Sequence, residues 1–227
     1  MGGPIGTPAH VRAARTSIDD LPAGAGARAV CSWVFDTPRA ALSSAPVGGG
    51  ASAIDWLVNI GVPGDYDRTD LEDHARDIAG RLGLLGTGAA MLTAVDVHRT
   101  VRAEDGDVVV DASVGVTKPT WAADVDGAHG HRTDGGWVPG TINIVVQLPV
   151  ALSAAAAVNA VITATEAKAQ DLQEAGGPGT GTASDAVTIV WPPGVLVEPF
   201  AGPRSTWGAR IGRAVHAAIR DGLERHP

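Results

Sequence analysis

The sequence TINIVVQL at residues 141–148 is followed by LSAAAAVNAVITATEAKAQDLQE at residues 152–174 and by AVTIVW at residues 186–191. The first and third segments are rich in β-branched residues, which favours strands. The middle segment is alanine-rich and ends before Gly176-Gly177-Pro178, which is typical of a helix and its stop signal. A strand, a helix and a strand in succession predict a layered α/β or α+β domain with a mixed sheet and packing helices.

The flanking sequence adds elements of both kinds. A Thr69/Glu72 capping box and a closing Gly83 predict a helix, and apolar residues at i, i+4 spacing predict another over about 206–224. Further strands are expected at Ala29–Phe35 and Ala40–Ser44, followed by an apolar segment at Ala51–Asn59, and a hairpin is expected of Ala90–Ala103 and Val108–Thr117. A long aperiodic loop is expected at Lys118–Pro139.

Length and composition predict one domain. The chain has 227 residues, of which 44% are hydrophobic, enough for a sizeable core. Residues 1–28 are glycine-rich and aperiodic, so we expect a flexible N-terminal segment before a domain over residues 29–227. A homo-oligomer is left open.

Charge and cysteine content exclude several classes of function. Seventeen basic residues stand against 25 acidic ones, without a Lys/Arg cluster, which argues against nucleic-acid and anionic-membrane surfaces. The single cysteine, Cys31, excludes an intramolecular disulfide and a CxxC site. No apolar run reaches membrane-spanning length, and residues 1–21 lack the apolar centre of a secretory signal. The expected location is cytoplasmic.

The alanine-rich helix carries the first candidate chemistry. On a helical projection Glu166 and Lys168 fall on opposite borders of one apolar stripe, formed by Val158, Val161, Ile162, Thr165, Ala169 and Leu172. A charged group at such a border can line a cleft, and a half-buried carboxylate can act as a general base. An ordinary solvated helix face explains the same spacing.

The segment Gly179–Asp185 carries the second group of candidate functional residues. Glycines there free backbone N–H groups, including those of Gly181 and Thr182, to meet a phosphate or a developing oxyanion. Asp185 suits a base or an orienting group, or it caps a tight turn.

Hydroxyl, aromatic and histidine side chains complete the candidates. Ser43 and Ser44 precede a glycine-rich bend, but the G-x-S-x-G pattern of a nucleophile elbow is missing. Thr141 follows Gly140, and a threonine nucleophile exposed by self-cleavage there is a minor alternative. Trp121 and Trp137 bracket the long loop and suit either packing or a planar ligand. His129 and His131 of that loop match no standard zinc spacing, so we predict no metal site, and a metal-dependent hydrolase that uses them is a third alternative.

These motifs, in this order, resemble the adenosylcobinamide amidohydrolase family of corrinoid salvage. The similarity extends from about residue 41 to the last helix, in blocks of short motifs: Ser43-Ser44-Ala45-Pro46 with the glycines after it, Asn59, Thr93-Ala94, Gly140-Thr141-Ile142-Asn143, Thr165-Glu166-Ala167-Lys168, Thr180–Asp185 and Gly202. One departure is Thr117-Lys118, where the family often has Ser-Asn.

The resemblance implies hydrolysis of the amide that joins aminopropanol to a corrin propionate in adenosylcobinamide or its phosphate. The products would be adenosylcobyric acid and aminopropanol, with cobalt present only in the substrate and no further cofactor. A non-catalytic corrinoid carrier is the alternative function.

We assign expected roles on this basis. Glu166 would be base and then acid, while Lys168 or the Gly181/Thr182 backbone would stabilise the oxyanion. The residues expected to position substrate and water, with Asp185, are Ser43, Ser44, Asn59, Thr117, Trp121, Trp137, Thr141 and Asn143. Direct attack by Ser44 or Thr141 competes with attack by water.

Overall fold

The computed structural model describes residues 14–125 and 140–225. Within them the chain forms ten strands and three α-helices, in the order β1 Arg15–Asp20, β2 Ala29–Ser43, β3 Gly50–Gly61, α1 Leu71–Arg81, β4 Gly88–Thr93, β5 Val101–Asp105, β6 Val108–Gly115, β7 Thr141–Gln147, β8 Ala151–Leu152, α2 Ala154–Glu174, β9 Ala186–Trp191, β10 Val197–Glu198 and α3 Thr206–Arg225. The described helices include none that is both long and apolar enough to cross a bilayer.

One mixed sheet organises the domain. Its strand order is β4-β3-β2-β9-β7-β6-β5, with β1 paired to β2, while β8 and β10 form a separate parallel pair. Strand β9 runs parallel to β7, and β3 runs parallel to β4, whereas the other main pairs are antiparallel. The expected single layered domain with a mixed sheet and packing helices is therefore confirmed.

The sheet folds over itself because β2 is long and irregular. Its pairing with β3 shifts register between Val34 and Arg39, and only residues 40–43 pair with β9. The first half of β2, with β3 and β4, packs onto β7 and β9 through a core that includes Trp33, Leu57 and Val145. Helix α1 covers the outer face of this half-sheet, and α2 and α3 cover the outer face of the other.

Strand β7 lies at the centre of these layers. Its side chains point alternately to the two faces of the sheet, so each face carries a different set of residues. Ile142, Ile144 and Val146 belong to the core beneath α2 and α3. Asn143 points the other way and hydrogen-bonds with Asn59 of β3, between the two half-sheets. The start of β7 therefore brings polar groups into an otherwise apolar interior.

Several elements differ from the expected ones. Helix α1 begins after Asp70 without a side-chain cap, so the Thr69/Glu72 capping box does not form, and β2 is one strand where two were expected. Ala90–Ala103 is not one strand, since β4 ends at Thr93 and a 3-10 turn over Val97–Arg99 precedes β5. Inside the N-terminal segment expected over residues 1–28, Arg15–Asp20 forms the exposed strand β1, whose six residues pair with β2. Residues 1–13 lie outside the described part.

The buried face of α2 also differs from the expected one. Val158 and Ile162, expected in its buried stripe, are 51% and 55% exposed. The buried face is instead built from small side chains together with Lys168, Asp171 and Leu172. Alanines allow close packing against α3 and the sheet, so the bulkier apolar residues do not mark the core side.

Candidate functional site

A buried ion pair joins α2 to the start of β9. Lys168 Nζ lies 2.5 Å from Asp185 Oδ2, and the side chains are 8% and 11% exposed. The Asp185 carboxylate also accepts hydrogen bonds from the Ile142 backbone N–H and from both the backbone N–H and the hydroxyl of Thr182. Four donors fill the acceptor capacity of a carboxylate, so Asp185 holds the three residues around it in place.

Gly181 leaves the space that this ion pair occupies. A Cβ at Gly181 would lie 2.3 Å from Asp185 Oδ2 and 2.5 Å from Lys168 Nζ. The surrounding loop is tied to the segment after β6, because Thr120 N–H donates to Gly181 O and Thr180 N–H donates to Thr120 O. The Thr182 N–H is already bonded to Asp185, so it is not the free oxyanion donor that the sequence suggested.

A second polar group lies between the two half-sheets. Asn59 Nδ2 donates to Ser113 Oγ at 2.9 Å, and Asn143 Nδ2 donates to Asn59 Oδ1 at 2.8 Å and to Leu92 O at 3.0 Å. Asn143 Oδ1 is buried and has no hydrogen-bond partner among the described residues. An unpaired buried acceptor is costly, which favours an incoming donor at this position.

A cavity of about 470 Å³ opens beside both groups, and we call it the sheet-end pocket. Its polar wall consists of Ser44, Tyr66, Arg68, Asn143, Ser184 and Asp185, and Leu71 and Leu92 are among its apolar residues. Thr141 lies behind this wall, buried, with its hydroxyl 2.9 Å from Ser184 Oγ. The end of β2 and the starts of β7 and β9 thus supply hydroxyl, amide and carboxylate groups to one open cavity.

The family model for adenosylcobinamide amidohydrolase (CbiZ) matches residues 16–227. The chain belongs to the adenosylcobinamide amidohydrolase family. An adenosylcobinamide amidohydrolase from Halobacterium salinarum is 33% identical over 180 residues, 78% of this chain and 77% of the relative. One from Methanosarcina mazei is 28% identical over 190 residues, 80% of this chain and 88% of the relative. The solved PH0078 protein from Pyrococcus horikoshii OT3 is 12% identical, with a TM-score of 0.46 over 94% of this chain and 84% of that one.

Membership confirms the resemblance and makes this chain an amidohydrolase. A hydrolase that cleaves an amide needs a nucleophile, a stabilised oxyanion and a proton for the leaving amine. The sheet-end pocket is where this amidohydrolase brings the largest number of the expected site residues together.

Glu166 is not among them. The expectation that it lies half-buried at the core border is wrong, because Glu166 is exposed. It lines a different cavity, a groove of about 440 Å³ between α2 and α3, with Gln170, Arg213 and His216. Two residues along a helix lie about 200° apart, so Glu166 and the buried Lys168 face different surroundings.

The remaining expected site residues divide into structural and accessible positions. Ser43 is buried, with its hydroxyl 2.6 Å from Thr188 Oγ1 and accepting from Ala45 N–H, and Asn59 is 1% exposed. Ser44, Thr117 and Trp121 are exposed, and Trp121 follows the Thr120 bridge to Gly181. Trp137 lies outside the described residues.

Sequence reasoning missed Tyr66 and Arg68, on the loop before α1. Arg68 binds Asp70 through Nε and Nη2, at 2.8 and 2.6 Å, and this contact lowers the pKa of Asp70 to about 2. The Tyr66 hydroxyl lies 2.7 Å from His74 Nδ1. The sequence contained one indication of Tyr66, which is the only tyrosine in the chain.

A third titratable cluster lies on the α2/α3 seam. Ligand atoms of Asp171, Glu174 and His216 all lie within 4.8 Å of one another, a spacing that could hold a metal ion. Arg220 Nη2 already lies 3.1 Å from Asp171 and 2.9 Å from Glu174, and His216 lies 2.9 Å from Glu174. Burial is the main cause that raises the pKa of Asp171. We infer that the role of this cluster is to hold α2 against α3.

Proposed function

We propose that this protein hydrolyses the amide that joins aminopropanol to a corrin propionate of adenosylcobinamide. Water adds to the amide carbonyl carbon, the C–N bond breaks, and the products are adenosylcobyric acid and aminopropanol. The observation that carries the proposal is the sheet-end pocket, which collects polar groups from distant parts of a chain of this family.

The size of the pocket supports partial entry of the substrate. About 470 Å³ suits a small-molecule group, and it is far too small for an adenosylated corrin ring. The aminopropanol-bearing arm would therefore enter, while the macrocycle stays at the mouth. The exposed Trp121 is a candidate surface for the flat ring.

The pocket residues take distinct proposed roles. Arg68 Nη1 is not used in the two hydrogen bonds to Asp70, and it would stabilise the developing oxyanion. Asn143 would accept the N–H of the scissile amide. Lys168 and Asp185 are positioning residues, which fix the start of β9 and the 179–185 loop beside the pocket.

Attack by water is favoured over attack by a protein hydroxyl. Thr141 is 3% exposed, and Ser44 Oγ accepts a hydrogen bond from the Val187 N–H, a contact that does not activate a hydroxyl. Ser44→Ala decides between them: attack by water predicts turnover within a few-fold of wild type, and a Ser44 nucleophile predicts a loss of roughly 10³-fold or more.

The function itself is tested by incubating the protein with adenosylcobinamide and identifying the corrinoid and the amine by mass spectrometry. Hydrolysis predicts a new corrinoid carboxylate and aminopropanol in equal amounts. Tight binding of unchanged adenosylcobinamide would instead favour the carrier alternative.

A further inference from the structure

The hydrogen bonds of His74 fix the position of its ring proton. His74, on α1, is 1% exposed, and its Nε2 lies 3.1 Å from the Ala25 carbonyl oxygen. A carbonyl oxygen only accepts, so Nε2 carries the proton and Nδ1 of the neutral ring is an acceptor. The Tyr66 hydroxyl, 2.7 Å from Nδ1, therefore donates to it.

Tyr66 belongs both to this hydrogen-bonded pair and to the lining of the sheet-end pocket. The hydroxyl proton is directed at His74, and Tyr66 itself lines the pocket with Asn143 and Ser184. The two rings are stacked, with centroids 5.5 Å apart and planes at 25°, which holds the pair in register. Burial raises the pKa of Tyr66, so the phenol stays protonated at neutral pH.

We propose that Tyr66 is a catalytic residue that moves protons between the sheet-end pocket and His74, which acts as a buried proton acceptor. The inference rests on the amide hydrolysis proposed above and supplies its missing base. Glu166, the base expected from the sequence, lines the α2/α3 groove instead.

The proton balance closes over one turnover. As water attacks the carbonyl carbon, its proton passes to the Tyr66 oxygen while the Tyr66 proton passes to His74 Nδ1. The resulting imidazolium keeps its Nε2–H bond to Ala25 O. When the C–N bond breaks, the proton returns through Tyr66 to the amine nitrogen, and both side chains regain their starting states.

The Asp70 carboxylate offsets the positive charge of Arg68 near a transient imidazolium at His74. Arg68 lies near the His74 ring, since a Cβ at Gly26 would lie 3.4 Å from Arg68 Nη1 and 3.2 Å from His74 Nε2. Its positive charge is paired with Asp70, and the Asp70 carboxylate also interacts with His74.

Tyr66→Phe tests the relay, because it keeps the ring and removes the proton. We expect kcat for adenosylcobinamide to fall by roughly 10²-fold or more, with little change in its dissociation constant. His74→Asn keeps an acceptor for the Tyr66 hydroxyl but no basic nitrogen, so we expect a similar fall and no further loss in the double variant. His98→Asn, at an exposed histidine paired with Asp20, is the matched control and should keep wild-type turnover.

Two outcomes overturn the inference: Tyr66→Phe turning over within about three-fold of wild type, or His74→Asn doing so while folded. If His74→Asn does not fold, Tyr66→Phe decides alone. Wild-type protein that binds adenosylcobinamide without cleaving it would overturn the proposed function instead, and the two failures are thereby distinct.

Discussion

Replacing Asp185 by asparagine should strongly destabilise the fold, because it strands a buried cation. The amide keeps the shape of the carboxylate but loses its charge, and the Lys168 ammonium 2.5 Å away remains 8% exposed. Removing one partner of a buried ion pair costs about 3–5 kcal/mol. Total stabilities of about 5–15 kcal/mol make this a large fraction of the free energy of unfolding.

Urea denaturation followed by circular dichroism measures the effect. With a denaturant slope of about 2–3 kcal/mol/M, the midpoint of Asp185→Asn should fall by roughly 1–2.5 M. The control is the double variant Lys168→Met/Asp185→Asn, which removes both charges and should be less destabilised than the sum of the two single changes. A loss under about 1 kcal/mol in Asp185→Asn, or strict additivity in the cycle, would refute the argument that the pair is buried and coupled.

Three further predictions concern the surroundings of individual residues. Gly181→Ala places a Cβ 2.3 Å from Asp185 Oδ2 and should lower stability, whereas Gly80→Ala meets nothing within 4 Å on α1 and should raise it by roughly 0.5–1 kcal/mol in the same urea assay. Arg213 lowers the pKa of Asp105, so the stability gap between wild type and Arg213→Ala should be present above about pH 4 and close as pH falls through the folded-state pKa; a pH-independent gap would contradict this. Burial raises the pKa of Cys31 to about 12, so a thiol reagent at pH 8 should label it only after unfolding, and rapid labelling of native protein would show that the thiol is accessible.

Strong local patterns predicted the elements well. Thr141–Gln147, Ala154–Glu174 and Ala186–Trp191 lie within a residue or two of the expected segments, because each satisfies its propensity and its burial at once. The orientation of the long helix could not be read from hydrophobicity. Its contact face consists mainly of alanine, and the ion pair formed by its buried Lys168 depends on a carboxylate 17 residues away.

The pocket was only partly predictable for the same reason. Motifs at the starts of β7 and β9 indicated Thr141, Asn143 and Asp185, which do lie together. Tyr66 lines the pocket and contacts His74, whose Nε2 lies against the Ala25 carbonyl, 49 residues earlier in the chain. Such long-range pairing follows from the layering of α1 on the folded sheet and leaves no periodic signal.

The location of the chemistry is tested most directly by measuring kcat for adenosylcobinamide with Arg68→Gln and Glu166→Gln in parallel. Each change replaces a charged group by a neutral amide, one in the sheet-end pocket and one in the α2/α3 groove. Chemistry in the sheet-end pocket predicts a fall of roughly 10²-fold or more for Arg68→Gln and a rate within a few-fold of wild type for Glu166→Gln. The reverse pattern would contradict this account and return the general base to Glu166.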